Sequence, residues 1–279
     1  MGVVRRLATP FVTPLVAVAL LLGGCASAPP AEAKPRVTPP PAAGRFDYQI
    51  GGAYRPDAGV RIVDRDRGDR PATGKYNVCY VNAFQTQPGE NRFWTRSHRT
   101  LLLRVGGRYV HDPNWPGEYI LDTSTAAKRT ALAAIVGRWF DGCAKRGFDA
   151  VEPDNLDSWT RQGVRGAITR ADNLAFAALL VRRAHARGLA IAQKNTVEVS
   201  RQARRLGFDF AIAEECEVYR ECGGYARYYG KRVLEVEYTD TPRSAFTRAC
   251  AQRRGRLSII LRDRDVVPRG DRAYRYRYC

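Results

Sequence analysis

Short apolar runs alternate with longer stretches of 3.6-residue period over most of this chain. Runs at 48–51, 60–63, 76–83, 150–154, 190–195, 210–215, 233–238 and 257–262 predict eight strands. Between them lie helical patterns. In 124–146 the apolar residues Leu132, Ile135, Val136, Trp139, Phe140 and Cys143 recur on one face, and Gly147 ends the pattern. Thr169 is placed to cap a helix carrying Leu174, Ala177, Ala178 and Val181, with Gly188 as its stop. Thr241-Pro242 predicts the opening of another, with Phe246 and Cys250 facing inward. Eight strands alternating with helices predict an α/β fold, a single-domain (β/α)8 TIM barrel, for which 279 residues is an ordinary length. The other doubly wound architecture usually carries a Gly-rich phosphate loop after its first strand, and no such loop or Walker sequence occurs here.

The first 45 residues follow a different pattern. Arg5 and Arg6 precede an apolar run at 11–22, about a dozen residues long and short for a membrane span. The run ends in Leu22-Gly23-Gly24-Cys25, which resembles a bacterial lipobox, so 1–24 is expected to be a lipoprotein signal and Cys25 a lipid site. A plain secretory signal or an uncleaved anchor is the other reading of the run. Residues 25–45 are rich in Pro and Ala and predict an extended tether, leaving 46–279 as the folded domain. The chain is then an exported, membrane-anchored lipoprotein on the extracytoplasmic face.

Cysteine usage agrees with export. Besides Cys25 there are six: Cys79, Cys143, Cys216, Cys222, Cys250 and Cys279. An even set in an exported chain reads as disulfides, with fifteen possible connectivities. Nearness in sequence favours Cys216 with Cys222 and Cys250 with Cys279, which leaves Cys79 with Cys143, but sequence does not choose among the fifteen. Without a Cys-x-x-Cys or a neighbouring His, a metal site is not expected, and no cofactor is implied.

The formal charge of +18 falls to about +16 if residues 1–24 are removed. Its arginines are scattered rather than blocked and accompany no nucleic-acid motif, so nucleic acid is not an expected partner. The acids are not scattered. Asp154, Glu214-Glu215 and Glu237-Tyr238 fall where predicted strands end, as do Lys194-Asn195 and Arg262-Asp263. In a barrel those ends form the active-site face. Paired carboxylates there suit glycosidic cleavage, one as acid and one as nucleophile or base. The three histidines, His98, His111 and His185, lie away from the strong strand ends, which disfavours a Ser-His-Asp or His-metal site. Trp94, Trp115, Trp159, Tyr219 and Tyr238 are candidates for sugar stacking or for packing.

Several dispersed motifs now add up. Val151-Glu152-Pro153-Asp154-Asn155-Leu156-Asp157, Trp115-Pro116-Gly117-Glu118, Lys194-Asn195, Glu214-x-Cys216 with Cys222, and Glu235-Val236-Glu237-Tyr238 resemble glycoside hydrolase family 114. The resemblance runs from about Tyr48 to Tyr238. It implies a TIM barrel with endo-α-1,4-polygalactosaminidase-like activity on an amino-sugar polysaccharide, monomeric and without a metal. It implies a retaining-type pair, Asp154 as nucleophile and Glu214 as acid/base. Tyr48, Glu152, Asn155, Asp157, Lys194, Asn195, Glu215, Glu237 and Tyr238 would contact substrate or support the pair. Two departures stand out. Many members have Asn-Glu-Gln-Cys where this chain has Ala213-Glu214-Glu215-Cys216, and the loop Asn82-Ala83-Phe84-Gln85-Thr86-Gln87 replaces a Ser-Ala-Gly type sequence. Strict alternation along 210–215, with large residues on the helix-covered face, would turn Glu215 rather than Glu214 inward. A non-catalytic carbohydrate-binding lipoprotein on the same barrel is the alternative function.

Overall fold

The computed structural model describes residues 1–3, 8 and 35–279. The expected signal segment, Cys25 and the first part of the tether lie outside the described residues. Eight parallel strands follow one another in chain order: β1 (Phe46–Gln49), β2 (Ile62–Asp66), β3 (Tyr76–Asn82), β4 (Ala150–Asp154), β5 (Ala190–Lys194), β6 (Phe210–Glu214), β7 (Val233–Tyr238) and β8 (Ser258–Arg262). A short β9 (Tyr276–Tyr278) pairs antiparallel with β8, and Tyr276 Oη donates to the Phe46 carbonyl of β1 at 2.7 Å. The sheet thus curls into a nearly closed barrel, with β9 bridging its seam. Six α-helices belong to this unit: α1 (Asn91–Ser97), α2 (Ala126–Arg146), α3 (Arg170–His185), α4 (Ser200–Leu206), α5 (Cys222–Tyr229) and α6 (Ser244–Arg253).

Local chemistry accounts for the helix ends. Thr125 accepts from the Lys128 N–H at the start of α2, and Gly147 closes it at φ +88, a conformation that glycine adopts without strain. Thr169 and Asp172 form a reciprocal capping box on α3. α6 begins later than its sequence suggested. Pro242 lies in the preceding turn, where its carbonyl accepts from the Ala245 N–H, and the helix starts at Ser244.

β1 and β2 lie two residues away from their predicted starts because buried polar groups hide their period. Phe46 and Tyr48 point into the barrel, while Asp47 and Gln49 on the other face are also buried. That face is satisfied by hydrogen bonds: Gln49 Nε2 and Tyr54 Oη donate to Asp47, and Arg65 Nε donates to Gln49.

The barrel interior and the strand–helix layer form separate cores. Ala150, Ala190 and Ala192 are small on the inner side, leaving room for Phe210 and Ile212 of β6. Ala211 and Ala213 face outward into the layer that holds Cys222, Tyr225 and Tyr229 of α5. The large residues of β6 therefore point inward, the reverse of the expectation that helices would cover them, and Glu214 shares their face. The same placement puts Ala213 in the outer layer.

The three disulfides are Cys79–Cys143, Cys216–Cys222 and Cys250–Cys279. They tie β3 to α2, close the loop before α5, and fasten α6 to the end of β9. The expected tether is not free along its second half. Val37 packs against the barrel interior, Pro40 and Gly44 are buried, and Tyr76 Oη donates to the Thr38 carbonyl. Residues 35–279 contain every strand, both cores and all three disulfides, and so make a self-contained folding unit.

Phe210 has no solvent exposure. Phe210→Ala is expected to destabilise this unit by about 3–5 kcal/mol, read as a lower denaturant midpoint at unchanged slope. An effect as small as that of a surface substitution would contradict the inward packing of β6.

Candidate active site

Three neighbouring strands turn outward in the same way. The residues just past β4, β5 and β6 are Asn155 (φ +64), Asn195 (φ +47) and Glu215 (φ +57), all left-handed. Asn tolerates this conformation better than most residues, whereas Glu there stores local strain. The turns leave Asp154, Lys194 and Glu214 as the last strand residues, at the rim of a cleft of about 420 Å³ on the C-terminal face.

Lys194 joins them. Its ammonium lies 2.8 Å from Glu152 Oε1, 3.1 Å from Asp154 Oδ1 and 3.3 Å from Glu214 Oε2, and it donates to Tyr48 Oη at 3.1 Å. Burial disfavours its charge, but Asp154, Glu152 and Glu214 outweigh burial and hold the ammonium well above its ordinary value. Two oxygens sharing one ammonium at 3.1 and 3.3 Å can be no farther apart than the sum, about 6.4 Å.

Each rim carboxylate has its own donors. Asp154 accepts from Tyr80 Oη at 2.8 Å and from the Asn155 N–H at 2.7 Å. Burial works to raise its carboxyl, yet Lys194, Tyr80 and Asn155 together hold it below the usual carboxylate value. Glu214 accepts from Asn195 Nδ2 at 3.0 Å and from Tyr238 Oη, while Asn195 Oδ1 accepts from the Glu214 N–H. Burial and the adjacent carboxylates push the hydroxyls of Tyr48, Tyr80 and Tyr238 well up, which keeps them O–H donors.

Beneath the rim the barrel holds a buried acid pair. Glu152 and Asp64 both lack solvent exposure, and Tyr48 Oη donates to Glu152 at 2.9 Å. Burial and the Glu152 charge push the Asp64 carboxyl well above its ordinary range. Tyr48 and Glu152 therefore support Lys194 from below and do not reach the open cleft.

The other expected residues separate. Asn155, Asp157, Glu215 and Tyr238 line the cleft. Asp157 makes no side-chain cap bond at the short helical turn that follows it and pairs with Arg161 instead. Glu215 leaves the strand and swings to Arg264 at 2.6 Å, so both glutamates reach the cleft by different routes. Glu237 does not line it. It lies on the outer face of β7, fully buried, where Oε1 accepts from the Glu217 N–H. Burial, and then Glu235, Glu215 and Glu217, push its carboxyl up to about 8. Trp94 is core, and Trp159 packs at the edge of the core, whereas Trp115 is exposed and lines the cleft.

Sequence reasoning passed over Asp64, Tyr80, Glu118, Arg161 and Arg264. Arg161 donates to Asp112, Asp157 and Asn155, bracing the loop after β4. Glu118 lines the cleft and accepts from Asn82 Nδ2 at 2.9 Å; burial pushes its carboxyl up to about 7 despite that bond. Its place in Trp115-Pro116-Gly117-Glu118 was the available signal. Asp64 carried none, because the predicted strand stopped one residue before it.

Two stability experiments follow from these charges. Removing one partner of a buried ion pair costs about 3–5 kcal/mol, and Lys194→Met is expected to cost that much at neutral pH in denaturant unfolding. The depressed Asp154 carboxyl stabilises the wild type above its unfolded value, ordinarily about 4, and that contribution is lost as pH falls through the folded value. The deficit of Lys194→Met should therefore shrink toward acid, and a deficit independent of pH would contradict the charge cluster. Glu237 has the opposite sign. Its contribution is full below the ordinary 4.5 and is lost as pH rises through about 8. Glu237→Gln is expected to flatten the fall in stability across that window.

The crystal structure of Aspergillus fumigatus Ega3 in complex with galactosamine superposes with a TM-score of 0.68 at 22% identity, covering 89% of this chain and 100% of that one. The glycoside hydrolase domain of PelA from Pseudomonas aeruginosa superposes with a TM-score of 0.56 at 15% identity, covering 81% and 96%. At these identities the likeness is one of fold, a TIM barrel. No curated protein matches this sequence. The sequence model of glycoside-hydrolase family GH114 matches residues 26–279. The chain belongs to glycoside hydrolase family GH114.

Proposed function

We propose that this glycoside hydrolase cuts an α-linked, galactosamine-containing polysaccharide within the chain, with Asp154 as nucleophile and Glu214 as acid/base. The observation that carries the reading is the single Lys194 ammonium set between these two carboxylates at the cleft rim. The two oxygens that share Lys194 are at most about 6.4 Å apart, which admits the retaining spacing of about 5–5.5 Å. Asp154 would attack the anomeric carbon while Glu214 gives its proton to the departing glycosidic oxygen. Glu214, then ionised, would take a proton from a water whose oxygen bonds to the anomeric carbon and displaces Asp154 as a carboxylate. Tyr80 and the Asn155 N–H fix the attacking carboxylate, and Asn195 and Tyr238 fix the acid/base.

The cleft's charge supports an amino-sugar substrate. Seven of its lining residues are acidic and three basic, although the whole chain is +18. A cationic polymer repelled at long range by the chain would be attracted at the cleft. Galactosamine bound to Ega3 agrees with this choice. The three disulfides fit an oxidising compartment and hence an exported protein. In this reading residues 1–24 are removed and Cys25 is acylated, so that 46–279 works as a tethered enzyme.

Incubating residues 35–279 with a panel of amino-sugar polymers and identifying products by mass spectrometry tests the reading. Wild type is expected to release galactosamine oligomers, and Asp154→Asn and Glu214→Gln to lower turnover by at least about a thousandfold with melting behaviour kept. Near-normal activity of Asp154→Asn would overturn the assignment. Equal oligosaccharide retention by wild type and Glu214→Gln, with product from neither, would favour the binding protein.

A further inference from the structure

The face opposite the cleft carries the charge that the cleft lacks. In a (β/α)8 barrel the helix C-termini and the loops into the next strand share the N-terminal face. Here Arg146 ends α2, Arg204 and Arg205 lie in the last turn of α4, and Arg254 follows α6, all exposed. Favourable interaction with the helix dipole accounts for basic residues at such ends. It does not account for those on the loops. Arg61 just before β2, Lys231 and Arg232 just before β7, and Arg256 before β8 are also exposed.

Three acids near this face have other partners: Asp141 pairs with Arg183 and Arg187, Asp209 shares a hydrogen bond with His185, and Asp149 accepts from the Asn77 N–H. Among the described residues none of the eight basic side chains named above forms an ion pair. The chain also enters the fold across this face: Pro35 lies against Gly188, and the Ala43 N–H donates to the Lys231 carbonyl. The lining of the cleft is mainly acidic, whereas the exposed side chains named on the floor are basic.

We propose that the N-terminal face of the barrel is a docking surface for a layer of anionic phospholipid headgroups, which seats the enzyme with its cleft turned away from the membrane. The basic groups stand on separate connections around the barrel floor. That arrangement suits a plane of charge better than one polyanion backbone threading a groove. Attraction from such a surface is additive over side chains and decays within a Debye length, so it orients the domain without a pocket. The docking does not require an acyl chain on Cys25.

The test uses residues 35–279, which lack Cys25, and vesicles of phosphatidylcholine alone or mixed with phosphatidylglycerol. Co-sedimentation is expected with the mixed vesicles only and should weaken as salt is added. Reversing Arg61, Arg146, Arg232 and Arg256 to Glu together is expected to weaken it at least tenfold, and changing the same four to Gln to weaken it less. Reversing Arg92, Arg99, Arg108 and Arg165, on connections of the cleft face, should change it less than twofold. Hydrolysis of soluble oligomers by the floor variants should match wild type, which also shows that they fold. Absence of binding to the mixed vesicles, or equal loss from the two sets of reversals, would overturn the proposal. Floor-dependent binding of duplex DNA without vesicle binding would overturn it in favour of a soluble polyanion.

Discussion

The Lys194 ammonium is buried among Glu152, Asp154 and Glu214, and the architecture of the catalytic end answers to that one charge. A lone ammonium inside a barrel would be prohibitive, and so would three carboxylates without it. Each makes the other tolerable, and the tyrosine hydroxyls of β1, β3 and β7 complete the arrangement by donating to the carboxylates. Asp64, buried beside this cluster, has its carboxyl pushed well above the ordinary range by burial and by the Glu152 charge. The strands that supply these groups must therefore keep their register, because a slip of one residue would exchange the inner and outer faces.

That constraint explains where the scaffold departs from a simple pattern. Large residues on β6 fill the barrel opposite the alanines of β4 and β5, and the helices cover its alanine face. Inward Phe210 and Ile212 carry Glu214 inward with them. Glu215 would belong to the other face if the strand continued, but its left-handed backbone ends the strand and brings its carboxylate to Arg264 at the rim. The two glutamates are thus neighbours in sequence with separate structural duties.

The cleft and the chain as a whole differ in sign: acidic residues outnumber basic ones seven to three in the cleft lining, while the full chain is +18. The net charge read from composition therefore does not describe the cleft.

The sequence by itself determined the order of the eight parallel strands, the cap at Thr169, the stop at Gly147, and the placement of Asp154, Lys194 and Glu214 at strand ends. These depend on local periodicity, on side-chain to backbone bonds within a few residues, and on short motifs at the ends of single strands. Tertiary structure alone decided which face of β6 is inside, that Glu237 is buried behind β7, and that Asp64 and Tyr80 reach the Lys194 cluster. It also fixed the disulfide pairing and gathered seven acidic residues around the cleft. Each of these depends on volumes and charges contributed by strands far apart in the chain, and no local pattern records how large the facing side chains will be.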